Sequence, residues 1–259
     1  MPEWLSSRRR AYDLACPEQP TRVEPRVSAM CNDACIEFVV AQLHKDDVQG
    51  KRVIEVGACD VNGSVRSLVE ALGPASYLGI DLEEGPGVDQ VCRAEDLVRR
   101  YGPESFDVVI STEMLEHVRS WRSVISNLKR VVAPGGVLLL TTRSKGFGFH
   151  AYPFDFWRYE MTDMEVLFSD FSVEALTPDR SCPGVLFKGR KPSKFHERDL
   201  SAYPLYSMMT DGRVLEIHNR DILVFRARYL ARRAVIHALP ASRLLPGPVR
   251  RGLKRLLGF

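Results

Sequence analysis

The sequence has little of what marks a secreted or membrane-spanning protein. No apolar run approaches the ~20 residues needed to cross a bilayer, and the first thirty residues lack the apolar centre of a secretory signal. The six cysteines show no tight pairing pattern, and Cys31 and Cys35 have no third cysteine close by, so we expect reduced thiols without a bound metal. These absences predict a cytoplasmic protein.

Strong charge of one sign is also absent from most of the chain. The net charge of +3 is too small to predict nucleic-acid binding, and we expect no DNA partner. The end of the chain is the exception, because nine Arg and Lys residues and no acidic ones lie between Arg226 and Phe259. Residues 246–259 combine apolar and basic residues at helical spacing. This pattern predicts contact with an anionic membrane surface, with a solvated or domain-packed end as the alternative.

Strands and helices alternate through the middle of the chain. Short, almost uniformly apolar strands are predicted at residues 52–56, 76–80, 107–111 and 136–142, with helices near residues 64–72, 95–101 and 121–132. Such runs are typical of parallel strands covered by helices on both faces. The sequence therefore predicts an α/β fold with a Rossmann-like, doubly wound, mostly parallel seven-stranded sheet.

The flanking segments show weaker patterns. Helical spacing predicts a helix over residues 28–46, and a Pro134-Gly-Gly136 turn is expected to end a helix and lead into the next strand. Further along, we predict a capping box at residues 162–165, strands near 171–176 and 185–188, and a hairpin in 214–225 that turns at residues 219–221. We divide the chain into an N-terminal arm (1–27), a catalytic domain (28–190) and a C-terminal extension that completes the fold (191–259).

The clearest chemical signal is a strand that leads into a glycine turn. Val53-Ile-Glu-Val56 runs into Gly57-Ala-Cys-Asp-Val-Asn-Gly63, and Asp81 closes the next strand. Such a turn lets backbone approach a ligand, while a carboxylate one strand later can accept hydrogen bonds from both ribose hydroxyls. These features predict a site for an adenosine-containing cofactor. From this motif alone, a nicotinamide-dependent dehydrogenase is a second interpretation.

The same turn resembles the first motif of the class I S-adenosylmethionine-dependent methyltransferases, an acidic residue followed by three alternating glycines. Glu55 and Gly57 match that motif, whereas Cys59 and Val61 replace its second and third glycines. Three later stretches, at residues 92–96, 106–118 and 128–138, resemble the family's remaining motifs in the same order. The resemblance covers roughly residues 30–190, implies S-adenosylmethionine as the cofactor and makes the dehydrogenase the weaker interpretation.

The turn and the resemblance together predict the residues around the cofactor. Ala58 and Gly63 are expected to give room in a reshaped turn, and Asp60 or Asn62 to hold the cofactor's amino group. The predicted set draws on this turn, the strand ends and the acidic loop that the resemblance assigns to adenine: Glu55, Gly57, Ala58, Asp60, Asn62, Gly63, Asp81, Leu82, Glu95, Asp96, Thr112 and Glu113.

Histidines after two strands are the candidates for acid–base chemistry. Methyl transfer from a sulfonium is an in-line displacement, so the enzyme positions the acceptor atom and, for a hydroxyl, removes its proton. His150 is our favoured base, with Asp155 or His117 assisting, because residues 150–159 are rich in aromatic residues suited to a ring-shaped acceptor. The structural alternatives are a packing role for His117 and a lid in which Arg158 pairs with Asp155.

Residues 150–158 read His-x-Tyr-Pro-x-Asp-x-Trp-Arg, which resembles a subgroup of bacterial methyltransferases often associated with sugars, glycans and secondary metabolites. The resemblance implies O-methylation of a small-molecule or glycan acceptor. Ser111-Thr-Glu-Met114 also lacks the Pro-Pro pattern of enzymes that methylate base nitrogens. Asp155, Glu113 and Glu116 are conceivable metal ligands, but no spacing requires a metal, and we predict none. An RNA or protein methyltransferase docked through the basic tail, or a non-catalytic binding module, stays open.

Overall fold

The protein is described by a computed structural model over residues 33–61, 63–150 and 154–238, with only the backbone for residues 233–238. The predicted N-terminal arm, the tail at residues 246–259 and the cofactor candidate Asn62 lie outside the described residues. Within them, no helix is both long and apolar enough to cross a membrane. Cys59 and Cys92 carry free thiols.

A seven-stranded sheet forms the centre of the molecule. In chain order the strands are β1 (Arg52–Val56), β2 (Ser76–Asp81), β3 (Gln90–Val91), β4 (Phe106–Thr112), β5 (Val132–Arg143), β6 (Trp157–Arg158), β7 (Ser172–Pro178), β8 (Gly184–Arg190), β9 (Leu205–Ser207) and β10 (Gly212–Val214). The central sheet has the order β3-β2-β1-β4-β5-β8-β7, in which β1 to β5 are parallel and β8 is antiparallel to both neighbours. The predicted Rossmann-like sheet is confirmed.

Helices cover both faces of this sheet. They are α1 (Asp33–Gln42), α2 (Lys45–Val48), α3 (Arg66–Glu70), α4 (Leu97–Tyr101), α5 (Trp121–Val131), α6 (Met161–Leu167) and α7 (Asn219–Ala238). Alternate residues of β4 face opposite ways: Val109 packs in the core that contains Trp121, whereas Ile110 packs in the core that contains Phe38 of α1. Each such buried side chain contributes roughly 1.5–3 kcal/mol, so the apolar strands are what hold the two helix layers in place.

A second, three-stranded sheet with the order β10-β9-β6 joins the C-terminal part of the chain to the loop that follows β5. Helix α7 packs on the same loop, since Phe149 lies 4.8 Å from Phe225 and 5.1 Å from Tyr229 between ring centroids. These contacts fix the segment that carries His150 and Asp155.

Three local predictions are wrong. The hairpin predicted in residues 214–225 does not form there, because Val214 ends β10 and residues 219–225 begin α7, where Asp221 Oδ2 accepts the His218 N–H at 2.8 Å. A hairpin is formed earlier, by β9 and β10. Helix α6 begins at Met161, before the predicted capping box, and Asp163 accepts the Glu160 N–H at 2.9 Å.

The third concerns the Pro134-Gly-Gly136 turn, which does not end a helix. Helix α5 stops at Val131, and the turn forms an irregularity inside β5, because Phe106 pairs with Val132 but Val108 pairs with Val137. Gly135 adopts a φ of +76° there, a conformation that glycine reaches without strain.

Candidate active site

The glycine turn after β1 has the close approaches that the cofactor motif requires. Gly57 has a φ of +85°, and a Cβ added to it would lie 2.8 Å from Cβ of Met114. The N–H groups of Gly57 and Ala58 both donate to the carbonyl of Ile80, at 2.9 and 3.0 Å. Glycine is therefore needed at residue 57 for its backbone conformation and for its lack of a side chain.

Asp81 lies at the carboxyl end of β2 and holds this turn. Its Oδ2 accepts the N–H of Cys59 at 3.0 Å, and its Oδ1 accepts the N–H of Leu82 at 2.6 Å. A carboxylate has about four acceptor positions, so positions remain for the two hydroxyls of a ribose. The side chain of Leu82, 52% exposed, offers an apolar surface beside them.

The glycines missing from the turn have counterparts in the loop that faces it. A Cβ on Gly85 would lie 2.7 Å from Cys59 Sγ, and a Cβ on Gly87 would lie 2.5 Å from the carbonyl oxygen of Ala58. Asp60 donates its N–H to the Pro86 carbonyl at 2.8 Å and accepts the N–H of Gly63 at 2.8 Å. Because its two glycines have no side chains, the Gly85-Pro-Gly87 loop thus leaves space for the side chain of Cys59. Sequence reasoning missed it, although a Gly-Pro-Gly soon after Asp81 was the available signal.

Glu55 is buried under the turn, where the Tyr77 hydroxyl donates to its Oε2 at 2.5 Å. Burial raises the pKa of Glu55 to about 7, although the bond from Tyr77 acts in the opposite direction. The acidic loop is also beside Asp81, because the Cys92 N–H donates to the Asp81 carbonyl at 2.8 Å.

In that loop, Glu95 pairs with Arg93 at 3.4 Å and Asp96 with Arg99 at 3.0 Å. Thr112 ends β4 at the same edge of the sheet. Glu113, which we expected beside the cofactor, has its carboxylate in a buried ion pair with Arg143. The turn, Asp81 and the acidic loop are thus brought together, while the Glu113 side chain is engaged elsewhere.

Past β4 and β5 lies a group of three polar residues, the buried Glu116 and the half-buried His117 and His150, which we call the His–Glu cluster. His150 Nε2 lies 3.6 Å from Glu116 Oε1, and its Nδ1 lies 3.0 Å from Asp155 Oδ2. Burial lowers the pKa of His150, but the hydrogen bonds and charges of Asp155 and Glu116 outweigh it and raise the pKa to about 9. His150 is consequently an imidazolium at neutral pH, which disfavours it as the base.

His117, in contrast to His150, is held as a neutral imidazole. Its Nδ1 lies 2.6 Å from the carbonyl oxygen of Phe154, and a carbonyl only accepts, so Nδ1 carries the proton and Nε2 the lone pair. Burial lowers the pKa of His117. Among the described residues, neither His117 Nε2 nor Glu116 Oε1 has a hydrogen-bond partner, although both atoms are buried.

Two interactions hold the cluster in place, and one of them, the pair of Asp155 and Arg158, was suggested by the sequence. Arg158 is fully buried and pairs with Asp155, donating from Nη2 to Oδ2 at 2.7 Å. Thr142 of β5 donates to Glu116 Oε2 at 2.8 Å. The cofactor turn and the cluster therefore occupy the carboxyl edge of one parallel sheet, where ligands bind in this architecture.

A sheet of this strand order, with a glycine turn and the carboxylate of Asp81 at its carboxyl edge, is that of a class I S-adenosylmethionine-dependent methyltransferase domain. A family model described as a methyltransferase domain matches residues 32–178, and the chain belongs to that family. The expected cofactor, S-adenosylmethionine, is the methyl donor of this class.

Individual relatives match shorter parts of the chain. Over 110 residues it is 39% identical to a ubiquinone biosynthesis O-methyltransferase of Pseudomonas syringae pv. tomato, covering 37% of this chain and 46% of that protein. A probable phthiotriol/phenolphthiotriol dimycocerosates methyltransferase of Mycobacterium ulcerans is 38% identical over 102 residues, covering 35% and 38%. The chain thus spans less than half the length of these relatives.

A solved structure shares the fold at low identity. The 1,6-didemethyltoxoflavin-N1-methyltransferase of Burkholderia thailandensis, which holds S-adenosylhomocysteine, matches with a TM-score of 0.51 and 16% identity, over 62% of this chain and 79% of that one.

Proposed function

We propose that the protein transfers the methyl group of S-adenosylmethionine to a hydroxyl of a sugar, glycan or related metabolite. The observation that carries this proposal is a pair of buried acceptor atoms, His117 Nε2 and Glu116 Oε1, that have no hydrogen-bond partner within the described part of the chain. Buried acceptors of this kind are costly unless a ligand supplies a donor. A hydroxyl supplies one, and methyl transfer to its oxygen requires that the proton be given up.

The reaction is a single displacement. The acceptor oxygen attacks the methyl carbon, the carbon–sulfur bond breaks, its electron pair stays on sulfur, and S-adenosylhomocysteine is formed. The hydroxyl proton is drawn off at the His–Glu cluster. Because His150 already carries a proton at neutral pH, we assign it, with Asp155, the task of orienting Glu116, and we assign the contact with the hydroxyl to His117 and Glu116.

Two observations support an oxygen acceptor with a ring. The names of the ubiquinone biosynthesis relatives specify O-methyl transfer. Aromatic side chains also lie near the cluster: Phe147 lies edge-on to His150 with centroids 4.9 Å apart, and Phe154, whose carbonyl contacts His117, stacks on the buried Phe156 at 5.3 Å. Such surfaces suit the apolar face of a ring, while the cluster suits its hydroxyls.

The first test is calorimetric titration with S-adenosylmethionine and S-adenosylhomocysteine. We expect micromolar binding by the wild type and at least tenfold weaker binding by Asp81→Ala, because a hydrogen bond to a charged group contributes roughly 1.5–3 kcal/mol. Asp46→Ala, an exposed aspartate on α2, is the matched control and should bind like the wild type. Failure of the folded wild type to bind either compound would overturn the proposal.

The second test concerns the acceptor. Hydroxylated sugars and glycans are screened with radiolabelled S-adenosylmethionine, and His117→Gln is compared with the wild type. We expect the variant to keep its affinity for S-adenosylmethionine and to lose turnover. Methylation of amines but of no hydroxyl compound would contradict the proposed acceptor class.

A further inference from the structure

We propose that the His–Glu cluster is a divalent-metal site in which Glu116 Oε1, His117 Nε2 and His150 Nε2 are the protein ligands, with Zn²⁺ as the best-matched ion. From the sequence we predicted no metal, although Glu116 is among the residues that could bind one, because the three residues are not spaced as a metal motif. Their convergence depends on the adjacency of β4 and β5, which brings the loops after both strands together.

The distances are close to those of a metal site. The three ligand atoms all lie within 4.8 Å of one another, with Glu116 Oε1 at 3.6 Å from His150 Nε2 and at 3.9 Å from His117 Nε2. Two ligands at about 2.1 Å from a tetrahedral Zn²⁺ are about 3.4 Å apart. Small inward movements of the three side chains therefore suffice to coordinate the ion.

The cluster also has the outer supports that metal ligands need. A metal-binding imidazole usually donates its other N–H to a carbonyl or carboxylate, which fixes its orientation and tautomer. His117 has the Phe154 carbonyl at 2.6 Å for this purpose, and His150 has Asp155 at 3.0 Å. Glu116 is oriented in the same way, since its second oxygen accepts from Thr142 at 2.8 Å.

The alternative is a metal-free ion pair between protonated His150 and Glu116. That pair gives His150 a partner but leaves the lone pair of His117 Nε2 buried without one among the described residues. An unpaired buried acceptor costs about 1–3 kcal/mol. A cation contacts the lone pairs of both His117 Nε2 and Glu116 Oε1, so it also accounts for the one atom, His117 Nε2, that the ion pair leaves without a partner.

Three protein ligands leave a fourth position open, as in catalytic rather than structural zinc sites. This role rests on the proposed function and refines it: with the ion bound, the acceptor hydroxyl would contact the ion in place of its direct contact with His117 and Glu116, and coordination would lower the pKa of that hydroxyl. It then releases its proton to solvent water and attacks the methyl carbon, while the carbon–sulfur electron pair moves onto sulfur. No change of oxidation state is involved.

The test is metal binding by the full chain without cofactor or acceptor. The protein is stripped with a chelator and titrated calorimetrically with Zn²⁺, and with Co²⁺, whose visible absorption reports tetrahedral coordination. We expect one ion per chain. Binding should weaken at least tenfold in His117→Gln and Glu116→Gln, and by 10- to 100-fold in the supporting variant Asp155→Asn. His196→Gln, an exposed histidine outside the cluster, is the matched control.

Thermal unfolding gives a second readout. Zn²⁺ should raise the midpoint of the wild type and of His196→Gln but not that of His117→Gln, and circular dichroism of each variant checks that it is folded. No stoichiometric binding, or equal binding by the cluster variants and the control, would overturn the inference. S-adenosylmethionine binding with no metal binding refutes the metal site alone. Metal binding without methylation of any hydroxyl refutes the proposed function alone.

Discussion

Replacing Glu55 by Gln is expected to change how stability depends on pH. Glu55 is 3% exposed, and burial raises its pKa from an ordinary 4.5 to about 7, so the folded state holds the proton more tightly than the unfolded state. A raised carboxyl pKa favours folding below about pH 4.5, and this contribution is lost as the pH rises through 7. The pKa difference between 4.5 and about 7, at roughly 1.4 kcal/mol per pH unit, corresponds to about 3 kcal/mol in the free energy of unfolding.

The assay is urea unfolding of the wild type and Glu55→Gln at several pH values from 4.5 to 8. Gln cannot ionise, and its amide oxygen still accepts the hydrogen bond from Tyr77. The stability of the variant relative to the wild type should therefore increase by about 3 kcal/mol across this range. Glu70→Gln, whose carboxylate is largely exposed and contacts Arg66, is the control and should give a nearly constant difference. Parallel curves for the wild type and Glu55→Gln would refute the reasoning.

Two further substitutions test buried charge and backbone conformation. Asp155→Asn leaves the fully buried Arg158 without a carboxylate and should cost about 3–5 kcal/mol in urea unfolding, with partial recovery in the double variant Asp155→Asn/Arg158→Met; an undiminished stability would contradict this. Gly57→Ala should lose S-adenosylmethionine affinity and more stability than Gly50→Ala, since both have positive φ but only Gly57 has a close neighbour, Met114. Gly50→Ala should cost about 1–2 kcal/mol, and equal losses in both would argue against the overlap.

The parallel sheet was predictable because each strand is a short apolar run between turn signals, so local pattern and burial agree. The C-terminal region was not. Residues 214–225 alternate like a strand, yet they include the start of α7, because Phe225 and Tyr229 pack on Phe149. Strands β9 and β10 have three residues each, and β9 pairs with the distant two-residue strand β6. Contacts so far apart in sequence leave no local periodicity.

The cofactor half of the site was predicted better than the acceptor half for a related reason. Asp81 and the turn at Gly57 act through the ends of two adjacent strands, which the strand pattern already located. The ring nitrogen that each histidine turns inward depends on the Phe154 carbonyl and on Asp155, and no spacing rule identifies these partners. The sequence therefore located both histidines at the carboxyl edge and favoured as base the one that two carboxylates keep protonated.

The charges around the acceptor position give a last argument about what binds there. Without a metal, Glu116 and Asp155 are each negative and His150 and Arg158 each positive, so this group is neutral. A divalent ion that replaces the proton of His150 leaves one net positive charge in a buried setting. Such a charge is costly unless an anion neutralises it. An alkoxide, formed when the acceptor hydroxyl loses its proton, has the required charge, and a neutral amine does not. With the ion bound, the charge count thus favours an oxygen acceptor over a neutral amine.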